Sequence, residues 1–159
     1  MKFFQTFDIA ASGMSAEQFR MNVISENIAN ANTSKTDAGT PYQRQVAVVT
    51  PQMRQEFESE FTTASFEIDF SKEDNQFHGG GARVQGVEKD NSDFRWVYDP
   101  GNPNAEKDGP HKGYVAMPNV NILQEMTTMI QASRAFEANA TTVEAAKAMA
   151  MKALEIGKG

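Results

Sequence analysis

Apolar side chains recur every seven positions at the start of the chain, at Phe7, Met14, Met21 and Ile28. A second row, Phe3, Ala10, Ile24 and Ala31, is interrupted by the charge of Glu17. This spacing is helical, and a stripe so narrow is closer to a coiled-coil seam than to a broad globular face. Gly13 weakens such a helix by about 1 kcal/mol relative to Ala without ending it. Asn27, Asn30, Asn32 and Thr33 cap better than they propagate, so the helix is expected to fray there.

A longer periodic segment closes the chain. Pro118 stops what precedes it, and Asn121 with Gln124 forms a start resembling a capping box. The stripe then runs through Ile122, Met126, Met129, Phe136, Ala140, Val143, Ala150 and Leu154, with Ser133 and Lys147 as imperfect members. Gly157 is the first breaker and a candidate C′ glycine. From 121 to 156 the helix would measure about 54 Å. A pattern longer than about 25 residues points to coiled coil or assembly. Leu123, Ile130 and Met151 form a second apolar row, and a helix apolar on more than one face needs more than one partner.

Between these ends the period changes to two. Phe66 to Phe70 and Phe94 to Tyr98 alternate cleanly, Tyr42 to Val49 less well, and Val84 with Val87 marks a further short strand. Asp99-Pro100-Gly101-Asn102-Pro103 is turn chemistry, and Gly79-Gly80-Gly81 reads as a flexible joint or tight loop. The fold expected is α+β: long N- and C-terminal helices forming a coiled-coil-like assembly core around a small β-rich centre. The division is 1–33, 34–118 and 119–159.

Charge sharpens that division. The net charge is −6, and residues 34–118 hold nine basic and fourteen acidic side chains, hence nearly all of it. All six prolines lie there too, so the centre is acidic and rich in breakers while the ends are near neutral. A net negative chain is ill suited to nucleic acid, whose phosphates need Lys and Arg in excess. No apolar run approaches the roughly 18 residues of a membrane span. Gln5 and Asp8 interrupt any secretory apolar core, so no cleaved Sec-type signal is expected.

Candidate chemistry changes little. The chain has no cysteine, which removes thiol catalysis and thiolate metal sites. His78 and His111 lack partners at metal-ligand spacing and read as exposed loop residues. Gly79 to Gly81 has no following Lys-Ser/Thr, so it is not a phosphate loop. Asp90-Asn91-Ser92-Asp93 lacks the Gly and the bidentate Glu of a calcium loop and reads as a solvated turn. No nucleophile, base, metal or cofactor site emerges, so a non-enzymatic role is expected. Two readings of the stripes stand: a self-contained helical hairpin, or a subunit whose surplus apolar faces are covered by other chains. The second apolar row favours the subunit.

Ser25-Glu26-Asn27-Ile28-Ala29-Asn30-Ala31-Asn32-Thr33 resembles the N-terminal signature of the bacterial flagellar rod and hook proteins. Asn119-Val120-Asn121, Glu125-Met126 and Ser133-Arg134-Ala135-Phe136-Glu137-Ala138-Asn139 resemble their C-terminal signature. Pro41-Tyr42 with Arg44, Tyr98-Asp99-Pro100 and Gly113 to Asn121 are similar to the proximal-rod members of that family. The likeness covers about 7–50 and 94–157, and 51–83 looks like a variable insert. Gln43 stands where the family often has a second Arg, which removes one candidate intersubunit cation.

The resemblance implies a structural subunit of the proximal rod, the periplasmic shaft that carries motor torque to hook and filament. It implies export through the flagellar type III apparatus without a cleaved signal. The implied partners are further copies of the chain, the rod proteins FlgB, FlgF and FlgG, and FliE. Alternatives are a FlgB- or FlgG-like rod member, or a secreted coiled-coil interaction protein outside the flagellum. The interface is expected at Phe7, Met14, Met21, Ile28, Ile122, Met126, Met129, Phe136, Val143, Ala150 and Leu154. The family signature positions are Asn27, Asn30, Asn32, Thr33, Tyr42, Arg44, Asp99, Pro100, Asn119, Asn121, Arg134, Glu137 and Asn139.

Overall fold

The computed structural model describes residues 2–53 and 79–157. The strand expected at 66–70, His78 and most of 51–83 lie outside the described residues. Two long helices flank the chain, α1 (Lys2–Ala29) and α2 (Ile122–Ile156). Between them lie β1 (Gln45–Met53), β2 (Gly79–Lys89), β3 (Arg95–Tyr98) and β4 (Tyr114–Met117). The architecture is α+β, with terminal helices and a small central region of antiparallel sheet.

The helices end where their residues dictate. After Ala29 the chain turns, and Asn30 stabilises the exit by donating from Nδ2 to the Glu26 carbonyl at 3.0 Å. At the start of α2 the Asn121 side chain accepts from the backbone N–H groups of Leu123 and Gln124, satisfying two otherwise orphaned donors. Gly157 corrects an expectation. It caps α2 with φ −76°, still right-handed, and its N–H reaches the Ala153 carbonyl at 3.1 Å. The cap is therefore a right-handed residue rather than a left-handed glycine.

The two helices pack against each other within one chain. Asn27 meets Glu125, and Gly13 lies against the Asn139 side chain, which places both pairs on the same antiparallel register. The helical hairpin is therefore real, but it does not consume every apolar face. A β-carbon on Gly13 would stand 2.8 Å from Asn139 Nδ2. Glycine there trades helix propensity for close approach.

β1 and β2 pair antiparallel from Gln45 opposite Lys89 to Met53 opposite Gly79, and both lie against α1. Gly79 to Gly81 is thus not a joint or loop but the first part of a strand. Gly81 has φ +94°, and a β-carbon there would collide with the Ser12 side chain. Ser12 Oγ in turn accepts from the Ala82 N–H at 3.0 Å. The glycine run is how a strand comes down onto a helix.

β3 and β4 form a second antiparallel pair, Arg95 opposite Met117 to Tyr98 opposite Tyr114. β4 was not evident from alternation, since four residues carry too little periodicity. His111 is half-buried rather than freely exposed, with its ring stacked on Trp96 at 4.0 Å between centroids. Val115 is buried in β4, and Ala31, Tyr42 and Val120 form a small core where the segments flanking the helices meet.

Candidate assembly interface

The inward face of α2 is a seven-residue row: Glu125, Ala132, Asn139 and Ala146, of which the first, second and fourth are buried. On α1 the buried positions are Ala10, Ala16, Val23, Ile24 and Asn27. The second row read from the sequence, at Ala10 and Ile24, thus lies deeper than the first. Phe7, Met14, Met21 and Ile28 are each half-buried along its border. Met129, Phe136, Val143 and Ala150 occupy the matching half-buried border on α2. Alanines take most of the seam, with Val23 and Ile24 buried beside them on α1, while the Phe and Met side chains sit at its rims.

Ile122, Met126 and Leu154 are exposed, so the hairpin does not bring them into a core. Leu123 is 74% exposed and Ile130 61% exposed. They are joined at the far end of α2 by Met149, Met151 and Ile156. The apolar surface of α2 therefore lies in two patches, one at each end. The turns between them carry the exposed Arg134–Glu137 ion pair at 3.2 Å and exposed threonines. On the hairpin register Lys2 is level with Ala150, so Met151 to Ile156 extend beyond α1. Exposed apolar patches of this kind are more than single scattered side chains and are the type of surface that marks interaction sites.

Behind these patches lies a polar junction. Glu125 is 1% exposed, yet both its oxygens are satisfied: Arg44 Nε donates to Oε1 at 2.7 Å and Asn27 Nδ2 to Oε2 at 3.2 Å. Asn27 also donates to the Gln45 carbonyl at 2.8 Å and accepts from the Gln45 N–H at 2.9 Å. Its amide thereby imitates a peptide unit and extends the edge of β1 onto the end of α1. Tyr42 Oη donates to the same Asn27 oxygen at 3.0 Å. Arg44 spans further, with Nη1 at 3.2 Å from Asp90 Oδ2.

Asn119 ties down the entry to α2. Its oxygen accepts from the Arg44 N–H at 2.8 Å, and its nitrogen donates to Asp90 O and to Ser92. Gln43 donates to Asp90 O at 2.7 Å, so at this position the side chain is engaged within its own chain. The Asp90 segment is irregular chain between β2 and β3 rather than the solvated turn expected, and its carboxylate belongs to the junction. Among the described residues no buried side-chain nitrogen or oxygen lacks a partner.

The electrostatics follow from the packing. Burial pushes the Tyr42 phenol up to about 12, and the charges of Glu26 and Glu125 act in the same direction. Burial works to lower the pKa of Arg44, but hydrogen bonding and charge from Glu125, then Asp90, outweigh it and raise the value. Asp90 is held below its ordinary range, first by the Ser92 N–H and side chain and then by Arg44.

The remaining signature positions separate into roles. Thr33 accepts the Tyr42 N–H through its carbonyl at 3.1 Å and donates from its hydroxyl to Asn30 Oδ1 at 3.3 Å. Asp99 binds Asn102 across the turn containing Pro100, while Asn32 and Pro100 are exposed. Glu125 and Asp90 were not among the sequence-derived site residues. The available signal was Glu125 falling in step with Ala132, Asn139 and Ala146, a row of small residues that marks a seam. Among the described residues no helix is long and apolar enough to cross a membrane, and no group of three His, Asp or Glu side chains could hold a metal ion.

Comparison with known proteins covers both ends of the chain. The profile of the family described as flagella basal body rod protein matches residues 7–34. The profile for the flagellar basal body rod FlgEFG protein C-terminal region matches residues 111–156. The chain is 41% identical to the flagellar basal-body rod protein FlgC of Borreliella burgdorferi, with all of both chains covered. It is 37% identical to that of Bacillus subtilis and 32% identical to that of Salmonella typhimurium. In both, the alignment covers 99% of this chain and 100% of the relative.

Proposed function

The chain belongs to the FlgC family of flagellar basal-body rod proteins and is a structural subunit of that rod; from this premise we propose how it assembles. The two apolar patches at the ends of α2 are the principal contact surfaces, carried by Ile122, Met126 and Leu154 with Leu123 and Ile130. Phe7, Met14, Met21 and Ile28, with Met129, Phe136, Val143 and Ala150, line the rims of the hairpin and complete the interface. Partners are further copies of the chain, FlgB, FlgF and FlgG, and FliE at the base. The subunit reaches the periplasmic, proximal part of the rod through the flagellar type III apparatus without a cleaved signal. Residues 1–33 and 119–159 form the helical layer of the shaft, and 34–118 the β-rich outer part. The protein has no catalytic role.

The single observation behind this reading is the exposed apolar surface of α2, left uncovered after the hairpin has formed. Burying such surface stabilises an assembly by about 25 cal/mol per Å², and close-packed interfaces transmit strain instead of yielding. Met126→Asp with Ile130→Asp is expected to leave helical content unchanged and to abolish flagellation in a strain lacking the wild-type gene. Normal motility of that double variant would overturn the proposed surface. Met14 and Met129 lie nine positions apart along the hairpin register, about 13 Å. Disulfide linkage of Met14→Cys/Met129→Cys in purified basal bodies would therefore report contact between chains.

A further inference from the structure

The polar junction does more than satisfy its own members. The hairpin seam is built from rows that repeat every seven residues: Gly13, Arg20 and Asn27 on α1, and Glu125, Ala132 and Asn139 on α2. In the observed register Asn27 is level with Glu125, Arg20 with Ala132 and Gly13 with Asn139. Sliding α2 by one heptad toward the start of α1 would bring Glu125 level with Arg20 and set Gly13 against Ala132. That register offers the buried carboxylate a cation and keeps small residues in the seam. A repeating seam of this kind specifies its register weakly unless a polar group singles one out. Arg20 is available for the exchange, because its present partner is Glu17 on its own helix at 3.2 Å, in a half-exposed pair.

We propose that the double grip of Asn27 and Arg44 on Glu125 is a register lock, holding α2 against a one-heptad slip in which Arg20 would capture Glu125. The two oxygens of Glu125 are held from two different elements, α1 and the approach to β1. One point of contact would permit rotation; two from separate directions fix position along the axis. Arg44 is itself held by Asp90, and its backbone by Asn119, so the lock also sets where the sheet sits on the hairpin. Arg44 and Asn27 are positioning residues in this account. The inference rests on the geometry of the fold and not on the rod reading.

The test is a distance measurement in the full chain, which contains no cysteine and so can be labelled at two chosen sites. Spin labels on Gln18→Cys and Lys147→Cys, both exposed, report the offset between the helices. The otherwise unmodified protein should give one distance. Arg44→Met should add a second population longer by about 10 Å, the rise of seven helical residues. Arg44→Met with Arg20→Met should return to a single distance, because the competing cation is gone. Should Arg44→Met fail to fold, Arg44→Lys keeps the charge, loses the fork between Glu125 and Asp90, and gives the same comparison. A single unshifted distance in the folded Arg44 variant would overturn the proposal. So would a longer population that persists without Arg20, since a purely stabilising junction gives no role to that side chain.

Discussion

Glu125 is a carboxylate removed from water at the first turn of α2, and its environment decides whether that is tolerable. Two donors from two elements compensate it. Truncating one partner of a buried pair leaves the other charge unpaired, at a cost of about 3–5 kcal/mol. Arg44→Ala is therefore expected to lower the unfolding free energy by that amount in urea titration. Glu125→Ala should cost less, because Arg44 keeps Asp90 as a partner. Tyr42 gives the junction an alkaline limit. Its folded-state pKa of about 12 lies above the ordinary value of 10. The unfolded chain therefore loses this proton first, and stability falls between about pH 10 and 12, by an amount on the order of 2 kcal/mol. Tyr42→Phe should flatten that decline and remove the late component of tyrosinate absorbance. Asp90 acts at the other edge. Its depressed pKa contributes stability above the ordinary carboxylate range, which is lost as pH falls through the folded-state value.

At the scale of elements, caps and close approaches set boundaries that hydrophobic patterning leaves blurred. Asn121 satisfies two N–H groups at the start of α2, so Asn121→Ala should cost about 1 kcal/mol in thermal or urea unfolding. β1 and β2 form a two-stranded sheet, which is marginal alone and depends on packing against α1. Gly81 makes that packing possible through a left-handed φ and the contact with Ser12. Gly81→Val is expected to cost at least about 1–2 kcal/mol from the backbone alone. Faster hydrogen exchange along β2, with α2 unaffected, would show that the damage is local. The glycine run was misread as a joint because composition alone does not distinguish a glycine chosen for flexibility from one chosen for lack of a side chain.

At the scale of the whole molecule, α2 is longer than α1 by seven residues, 35 against 28, and the overhang exposes Met151, Leu154 and Ile156 beside the Lys152–Glu155 pair. Removing residues 151–159 should leave the thermal midpoint within a few degrees, because Met151, Leu154 and Ile156 bury little in the hairpin. The same truncation should abolish incorporation into basal bodies, measured by immunoblot of purified particles. In the proposed assembly, Leu154 and Ile156 gain their remaining burial from neighbouring subunits. The half-buried rims at Met21, Met129 and Phe136 then join core to contact surface without a sharp boundary.

The sequence by itself determined the two helices, most of the central strands, the neutral ends and the acidic centre, because periodicity and composition are local properties. It also carried the family likeness, through runs of residues that are contiguous in the chain. Even the surplus of apolar faces on α2 was legible, since a second row at Leu123, Ile130 and Met151 does not depend on any partner. Only the tertiary structure decided that the helices pair within one chain and that the buried seam runs largely through alanines, with Val23 and Ile24 beside them. Asn27, Tyr42, Arg44, Asp90, Asn119 and Glu125 stand up to 98 positions apart, yet they form one junction. Nothing local distinguishes a buried glutamate from an exposed one. That distinction is made by what the rest of the chain brings within hydrogen-bonding reach of it.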